Sequence, residues 1–124
     1  MSQKAAYIYF MTNEVETVLY IGVTSNLIRR IAEHKADVSH GFTRTYNCKK
    51  LVYYEHGTSI ADALQREKQL KRWKRVWKNE LVNEFNPSWT DLSHNIGVTS
   101  ELVAQIAANA ESNTQRQDPG SSPG

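Results

Sequence analysis

Two short segments near the start of the chain constrain its fold most. Ala6–Met11 and Val18–Val23 are rich in tyrosine, isoleucine and valine, and the six residues between them are mostly polar. β-Branched and aromatic residues favour strands, and two strands this close in sequence pair at little entropic cost. The sequence therefore predicts a hairpin at the start of the fold.

Alternation along the two strands separates two faces of the hairpin. Ile8 and Phe10 share one face, which we expect to cover the core. Tyr9 and Tyr20 share the opposite face, where they either act only as good strand formers with hydroxyls in water or face a common site. Gly22 favours a site, because a glycine inside a strand weakens the sheet unless something approaches its backbone closely.

Helices and one further strand follow the hairpin. A helix is predicted over residues 27–38, and Gly41 then opens a loop. Lys50–Glu55 is typical of a third strand. Ser59 opens a capping-box pattern that starts a second helix, and a third helix follows or continues it to about Phe85. The predicted order is β-β-α-β-α-α.

The composition of the chain changes near Ser93. From His94 onward there is no Phe, Trp or Tyr, and the last residues are rich in Ser, Gln, Pro and Gly. Such a segment buries too little apolar surface to order itself. We expect residues 1–93 to fold as one domain and residues 94–124 to form a tail, with a short helix over 99–110 and disorder beyond it.

Charge and hydropathy exclude several classes of protein. The 124 residues carry 15 Lys and Arg against 13 Asp and Glu, a net charge of +2, and residues 1–93 alone carry +4. The longest mainly apolar run, Ala5–Met11, is far shorter than the roughly 20 residues of a membrane helix. With no signal-type segment, we expect a cytoplasmic protein. The single cysteine, Cys48, excludes an internal disulfide and a Cys/His zinc site.

Three charged side chains fit a purely structural interpretation poorly. Arg30 and His34 lie four residues apart on one side of the first helix and suit phosphate binding and proton transfer; the alternative is a solvated cationic edge. Glu67 falls near the centre of the apolar stripe of the second helix, where an unpaired carboxylate costs free energy. Its partner is either Lys71, four residues on, or a divalent metal.

A basic segment, residues 66–78, surrounds Glu67. It contains seven Lys and Arg and one Glu, a local net charge of +6, and two tryptophans four residues apart. We expect nucleic-acid contact here, although a solubilising face or an anionic membrane surface would also tolerate such charge. The cations expected at a nucleic-acid backbone are Lys68, Lys71, Arg72, Lys74, Arg75 and Lys78.

Five elements of the chain occur in an order and spacing typical of one nuclease superfamily. They are Tyr7-Ile8-Tyr9, Tyr20-Ile21-Gly22, Arg30, His34 and Glu67. On these elements, residues 5–92 resemble the small stand-alone bacterial members of the GIY-YIG nuclease superfamily, except that Tyr7 stands in place of the first glycine. The resemblance implies an α+β fold, a small three-stranded antiparallel sheet flanked by helices, which hydrolyses DNA phosphodiester bonds with one divalent metal.

The resemblance also implies a role for each matched residue of the first half of the chain. Tyr20 would activate or position the attacking water, and Tyr9 would support it. Arg30 would hold the scissile phosphate, and His34 stands where related nucleases carry a His or Tyr for proton transfer. A phenol has a pKa of about 10, so it acts as a base near neutral pH only with positive charge close by.

The remaining implied roles concern the metal and the backbone. Glu67 would ligate the metal, with Mg²⁺ expected and Mn²⁺ as the alternative. Gly22 would support the site through its backbone. The late asparagine of the family corresponds to Asn86 in the stand-alone pattern, or to Asn79 by its spacing from Glu67 in other branches.

The leading hypothesis is a metal-dependent DNA endonuclease of low sequence specificity, because no separate recognition domain accompanies the catalytic one. Single-stranded or branched DNA is the expected partner, in DNA repair or processing at the bacterial nucleoid, with a monomeric protein. The alternatives are a non-catalytic nucleic-acid-binding module on the same scaffold and a protein-interaction module whose basic helix binds an acidic partner. The enzymatic interpretation requires the matched residues to meet on one concave surface.

Overall fold

The computed structural model describes residues 6–38 and 41–116. Three strands and five α-helices make up this part of the chain, with a short 3₁₀ turn at His94–Ile96. In chain order the elements are β1 (Ala6–Thr12), β2 (Leu19–Thr24), α1 (Leu27–Lys35), α2 (Phe42–Thr45), β3 (Lys50–Gly57), α3 (Ile60–Arg72), α4 (Arg75–Phe85) and α5 (Ser100–Arg116).

Strand β1 is the central strand of an antiparallel sheet whose order is β2-β1-β3. Its pairing with β2 places Tyr9 opposite Gly22 and Met11 opposite Tyr20. The predicted hairpin, the third strand and the α+β fold with a three-stranded antiparallel sheet are therefore confirmed. The register brings the glycine and one tyrosine of the predicted site to directly paired positions.

Helices cover both faces of the sheet. On one face, Ile8 and Phe10 pack with Leu70 of α3, which is the expected core. On the other face, Tyr9 packs with Ile31 of α1 in a second apolar cluster that the alternation did not predict as core. The side chains of β1 are buried from both sides, so the face that carries Tyr9 is part of the protein interior.

The helices depart from the sequence expectations in two places. The segment after Gly41 contains the short helix α2. Helix α1 ends at Lys35 instead of near Val38, and Asp37 beyond it adopts a positive φ of 61° that ends the helical path. Of the two alternatives left open after β3, the structure has a separate third helix, since the backbone is extended at Trp73 and Lys74 (ψ of 150° and 152°) between α3 and α4.

The buried stripe of α3 is narrower than predicted. Ser59 caps the helix with its side chain, as expected. Ala63 and Leu70 are fully buried, but Ile60 and Leu64, the other apolar residues near this side of the helix, are 39% and 45% exposed. The helix therefore contacts the sheet along a single row of residues, because only one side of α3 reaches the strands.

Helix α5 begins at Ser100 and continues to Arg116, beyond the end expected at residue 110. Ile106 of this helix and Val98 before it are buried and join the apolar cluster that contains α1. The expected tail is thus in part a helix packed on the domain. Residues 117–124, which were expected to be disordered, lie outside the described residues.

None of the helices within residues 6–38 and 41–116 has the length and apolar character needed to cross a bilayer.

A polar junction fastens the segment after α4 to the sheet and to α1. The Asp91 carboxylate accepts hydrogen bonds from Lys35 Nζ (2.6 Å), Leu51 N (3.1 Å), Ser93 N (3.1 Å) and Ser93 Oγ (2.6 Å). Partial burial raises the pKa of Asp91, but the hydrogen bonds from Lys35, Ser93 and the backbone outweigh burial and hold that pKa below its usual range. One carboxylate therefore joins α1, β3 and the C-terminal segment.

We expect Asp91→Ala to lower the free energy of unfolding by about 2–4 kcal/mol, because it leaves Lys35 and two backbone N–H groups without their acceptor. Lys49→Ala is the control: it breaks an exposed pair with Asp37 (2.8 Å), and such pairs contribute at most about 1 kcal/mol. Urea unfolding measures both losses. Equal losses would contradict a structural role for the junction.

The pH dependence of stability gives a second measure of the junction. The pKa of Asp91 is lower in the folded protein than in the unfolded chain, where it is about 4. Its contribution is therefore present above about pH 4 and is lost as the pH falls through the folded-state pKa. The difference in unfolding free energy between wild type and Asp91→Ala should shrink over that acidic range.

Candidate active site

Helix α1 brings two of the predicted site residues to the central strand. Asn26 caps the helix by accepting a hydrogen bond from the backbone N–H of Arg29 at 3.1 Å. The buried residues of α1 lie against the sheet, and His34 is among them. Because residues four apart share a side of a helix, Arg30 and His34 both reach Tyr9 of β1.

Four of the predicted residues meet at this place; we call Tyr9, Tyr20, Arg30 and His34 the tyrosine cluster. The Tyr9 hydroxyl is 3.0 Å from His34 Nε2, and Arg30 Nε donates to the same hydroxyl at 3.4 Å. The ring of Tyr20 lies 6.1 Å from that of Tyr9 and 5.7 Å from that of His34, centroid to centroid. Tyr9 and His34 are 1% and 3% exposed, whereas Tyr20 is half-buried.

Gly22 makes room for the tyrosine cluster. A Cβ atom added to Gly22 would lie 2.6 Å from both Cζ and the hydroxyl oxygen of Tyr9, and 2.9 Å from Cε2 of Tyr20. Any other residue would push these rings away. The glycine inside strand β2 is therefore explained by two tyrosine side chains that cross its backbone.

Burial sets the protonation of the inner pair. Burial, and next the neighbouring Tyr20, raise the pKa of Tyr9 well above its usual value, while Arg30 lowers it by less. Burial, and next the Arg30 cation, lower the pKa of His34 to about 4, against an opposing effect of Glu33. At neutral pH Tyr9 is a protonated phenol and His34 a neutral imidazole. The nearby Arg30 cation does not prepare Tyr9 as a base, because desolvation is the larger effect.

His34 retains one unused polar atom. Its Nδ1 is buried and has no hydrogen-bond partner in the part of the chain that the structure describes. Arg30 already donates to the Tyr9 hydroxyl, so the hydroxyl proton is available to His34 Nε2. A buried atom without a partner costs free energy, and such costs are typical of functional sites.

Glu33 orients Arg30, and the sequence analysis missed it. Its carboxylate accepts from Arg30 Nη1 and from Arg29 Nε, both at 3.1 Å. The spacing of three and four residues on one helix was the available signal. Arg30 is partly exposed, and its contacts with Tyr9 and Glu33 occupy Nε and Nη1. The Nη2 group has no hydrogen-bond partner within residues 6–38 and 41–116 and can meet an anion.

Glu67 lies on α3, on the opposite face of the sheet from α1. Its side chain is 17% exposed, and Lys71 Nζ is 3.0 Å from Oε2. The salt bridge that the spacing allowed is therefore present. A shallow groove of about 220 Å³ extends from this pair to the tyrosine cluster, and its lining residues are Leu19, Tyr20, Ile21, Phe42, Lys71 and Lys78. Lys71 connects Glu67 to the groove that contains Tyr20. The required convergence on one concave surface is therefore met by four of the matched residues, and Glu67 reaches the groove only through Lys71.

The donor set around Glu67 fits one kind of metal. Among residues 6–38 and 41–116, no three or more His, Cys, Asp or Glu side chains are grouped to hold a metal ion. A site built mostly from protein ligands is therefore not found there. A single carboxylate fits Mg²⁺ or Mn²⁺, hard cations that keep several waters and take phosphate oxygens of a substrate.

Asn86 and Asn79 have partners outside the tyrosine cluster. The buried Asn86 amide donates from Nδ2 to the carbonyls of Val52 (3.1 Å) and Thr90 (2.8 Å), and its Oδ1 accepts from Thr90 N and Oγ1 at 3.2 Å each. These bonds occupy both ends of the amide and fasten the end of α4 to β3. Asn79 accepts from Arg75 Nε at 2.9 Å.

Four of the six predicted cations line two grooves. Lys71 and Lys78 line the groove at Tyr20, whereas Lys68 and Arg72 are exposed and line a larger open groove beside the two tryptophans. Within the described residues, four of the six predicted cations have partners in the protein. These are Lys71 with Glu67 (3.0 Å), Lys74 with the Trp77 ring (5.6 Å to the centroid), Arg75 with the carbonyls of Glu16 and Thr17 (3.1 Å each) and Lys78 with the carbonyl of Lys71 (3.5 Å).

Helix α2 adds two aromatic residues that the sequence analysis did not select. The ring of Phe42 stacks on that of Tyr20, with centroids 6.1 Å apart and an angle of 28°, and Tyr46 lies 4.6 Å from Phe42. The sequence feature that could have indicated this surface is the pair of aromatic residues, four apart, that follows Gly41. The surface at Tyr20 is therefore both aromatic and cationic.

Comparison with known proteins bears on this geometry. Residues 5–80 match the model of the GIY-YIG catalytic domain. The chain belongs to the GIY-YIG family. The matched span contains the whole tyrosine cluster and Glu67, and it ends before Asn86. The superfamily is one of nucleases that act on DNA and generally use divalent metals.

Several curated relatives of this GIY-YIG protein are named UPF0213 proteins. One from Natronomonas pharaonis is 40% identical over 76 residues, 61% of this chain and 88% of that protein. One from Staphylococcus haemolyticus is 33% identical over 78 residues, 63% of this chain and 94% of that protein. No solved structure matches the chain. The resemblance to small stand-alone GIY-YIG proteins is confirmed.

Gly22→Ala should displace the rings of the tyrosine cluster and cost about 1–3 kcal/mol of stability, the usual range for overpacking. Because the Tyr9–His34 bond then lengthens, the imidazole NMR signals of His34 should shift. Gly57→Ala on β3 is the control, since its Cβ would meet nothing closer than 3.3 Å. An equal shift of His34 in both variants would contradict the account of Gly22.

The His34 imidazole should titrate near pH 4 by NMR, and Arg30→Gln should move the midpoint upward because a nearby cation is removed. Since the unfolded chain takes up this proton near pH 6.5, the free energy of unfolding should rise with pH between about 4 and 6.5. Arg29→Gln is the control, because Arg29 also pairs with Glu33 but is far more exposed. Equal shifts in both variants would contradict the Coulombic cause.

Proposed function

We propose that the protein is a divalent-metal-dependent endonuclease that hydrolyses DNA phosphodiester bonds with low sequence specificity, acting on single-stranded or branched DNA. The tyrosine cluster is the observation that supports this proposal. Tyr9, His34 and Arg30 form a hydrogen-bonded set beneath the more accessible Tyr20. The rings of Tyr9 and Tyr20 pack against Gly22 of β2, which has no side chain to exclude them. His34 Nδ1, which is buried without a hydrogen-bond partner among the described residues, costs stability, and a function is the usual reason for such a cost.

Tyr20 is the residue of the cluster that meets the attacking water, because Tyr9 behind it is buried. In the proposed step the water proton passes to the Tyr20 hydroxyl, whose own proton moves to Tyr9. The Tyr9 proton then moves across the 3.0 Å bond to His34 Nε2. The relay creates no isolated phenolate, because Nε2 of the neutral His34 already accepts from Tyr9. Burial and Arg30 disfavour a lasting imidazolium, so as water bonds to phosphorus and the P–O bond to the leaving strand breaks, the proton returns along the relay to the leaving oxygen.

Arg30 and Glu67 supply the charge for the reaction. Arg30 uses Nε and Nη1 within the protein, so its Nη2 group would bind a phosphate oxygen as negative charge grows there. Glu67 would hold the metal in place of Lys71, and the metal would act as a Lewis acid on the phosphate. Asn86, whose amide is fully engaged, acts as a positioning residue that keeps α4 against β3.

The cations of the two grooves would bind the DNA backbone. Contacts to phosphates position a protein without reading sequence, which is the basis for low sequence specificity. Lys71 and Lys78 line the groove at Tyr20, and Lys68 and Arg72 extend the surface along α3. Action on chromosomal DNA in the bacterial cytoplasm, in repair or processing, and a monomeric state remain predictions.

The test is cleavage of single-stranded, duplex, flap and junction DNA by purified protein with Mg²⁺ or Mn²⁺. Glu67→Ala and Tyr20→Phe should each lower the rate at least about 100-fold, as loss of a transition-state contact does. Glu101→Ala, in the first turn of α5, should cleave like wild type. Equal cleavage by wild type and Glu67→Ala would reveal a contaminating nuclease and refute the proposal.

A non-catalytic nucleic-acid-binding module is the second candidate. The Glu67–Lys71 salt bridge favours it, because a paired carboxylate needs no metal. This candidate predicts DNA binding that weakens steeply with salt and is independent of metal, with no strand cleavage on any substrate. Failure to bind DNA at physiological salt would instead favour the acidic-protein partner.

A further inference from the structure

We propose that Phe42 and Tyr46 form a stacking site for one unpaired base of the DNA strand that lies in the groove at Tyr20. The site would select single-stranded or unpaired DNA over paired duplex. This inference rests on the proposed function for the identity of the strand, but it concerns binding and is measured without cleavage.

The rings of Tyr20, Phe42 and Tyr46 contact one another in series on the surface. Phe42 lies over Tyr20 and Tyr46 lies against Phe42, with centroid separations of 6.1 and 4.6 Å. Phe42 is 43% exposed and Tyr46 is 50% exposed. An exposed aromatic pair that continues from a candidate catalytic ring offers apolar ring faces, tilted 41° to each other, and bases stack on such rings regardless of sequence.

The exposure of this pair follows from how α2 is fixed. Thr43, the residue after Phe42, is buried, and its carbonyl accepts a hydrogen bond from Cys48 N at 2.8 Å. Cys48 is fully buried in the apolar cluster beneath α1. One side of α2 is thus anchored in the protein, and the aromatic pair is held outward on the other side.

The charges around the pair identify the occupant as a nucleic acid strand. Lys71 and Lys78 line the same groove as Phe42 and Tyr20. An apolar peptide would gain nothing from two cations, whereas a strand places its phosphates against cations and its bases against rings. A base in a duplex is already stacked and paired, so it reaches Phe42 only after it has been unstacked at a cost in free energy.

The experiment measures binding of a single-stranded oligonucleotide that carries one 2-aminopurine, at fixed salt and without divalent metal. Phe42→Ala should raise Kd about tenfold and abolish the quenching of the 2-aminopurine fluorescence. Phe42→Trp should keep both the affinity and the quenching of wild type. The control is Phe85→Ala. Phe85 is 47% exposed and also contacts two aromatic rings, Tyr53 and Tyr54, but it lies at the end of α4.

An abasic nucleotide in place of the 2-aminopurine provides a second measurement, whose effect on wild type needs no variant of Phe42. It should weaken binding to wild type about tenfold and leave binding to Phe42→Ala unchanged, because both changes remove the same contact. Affinity for fully paired duplex should be the same in wild type and Phe42→Ala. If Phe42→Ala fails to fold by circular dichroism, the abasic series with wild type and Tyr46→Ala decides the question.

The outcomes separate this inference from the proposed function. Quenching and a tenfold effect in a protein that cleaves no DNA would support the stacking site and refute the nuclease. Cleavage of DNA with no effect of the abasic nucleotide or of Phe42→Ala on Kd and quenching would overturn the stacking site alone. Equal effects of Phe42→Ala and Phe85→Ala would overturn it as well.

Discussion

The passage of the Tyr9 and Tyr20 rings over the bare backbone of Gly22 is the contact on which the candidate site depends. This contact requires a glycine at an inner position of β2, the central strand β1 paired with β2, and helix α1 packed over that face of the sheet. With those in place, the Tyr9 hydroxyl lies within 3.0 Å of His34 Nε2 and within reach of Arg30. The hairpin register, the capping of α1 and the second apolar cluster all serve to maintain this one approach.

Burial of that contact has a chemical consequence. Desolvation raises the pKa of Tyr9 and lowers the pKa of His34 to about 4. Both groups are therefore uncharged near neutral pH, so the interior holds a neutral phenol–imidazole pair instead of an ion pair. The only permanent charge is Arg30, and Glu33 balances it at the surface. The Tyr9–His34 pair is therefore uncharged before substrate binds. This suits a phosphodiester, whose own negative charge would pair with Arg30.

Much of the fold could be predicted because its signals are local. The alternation of β1 and β2, the cap at Ser59 and the end of α4 at Phe85 each depend on neighbours a few residues away. The short helix α2 and the break at Trp73 could not be predicted in this way. Phe42 is oriented by Tyr20 and by buried groups far away in sequence, and the break at Trp73 divides a stretch whose composition favours helix throughout.

The sequence by itself determined the residue types of the site and their order. A family pattern identifies them as Tyr9, Tyr20, Arg30, His34 and Glu67. Only the tertiary structure decided which of them share an environment. It placed the first four on one face of the sheet and Glu67 on the other, joined through Lys71 and the groove at Tyr20. The reason is that the protonation states of Tyr9 and His34, and the free energy of burying them, are set by desolvation. Desolvation depends on packing from both sides of the sheet, which neither spacing nor composition records.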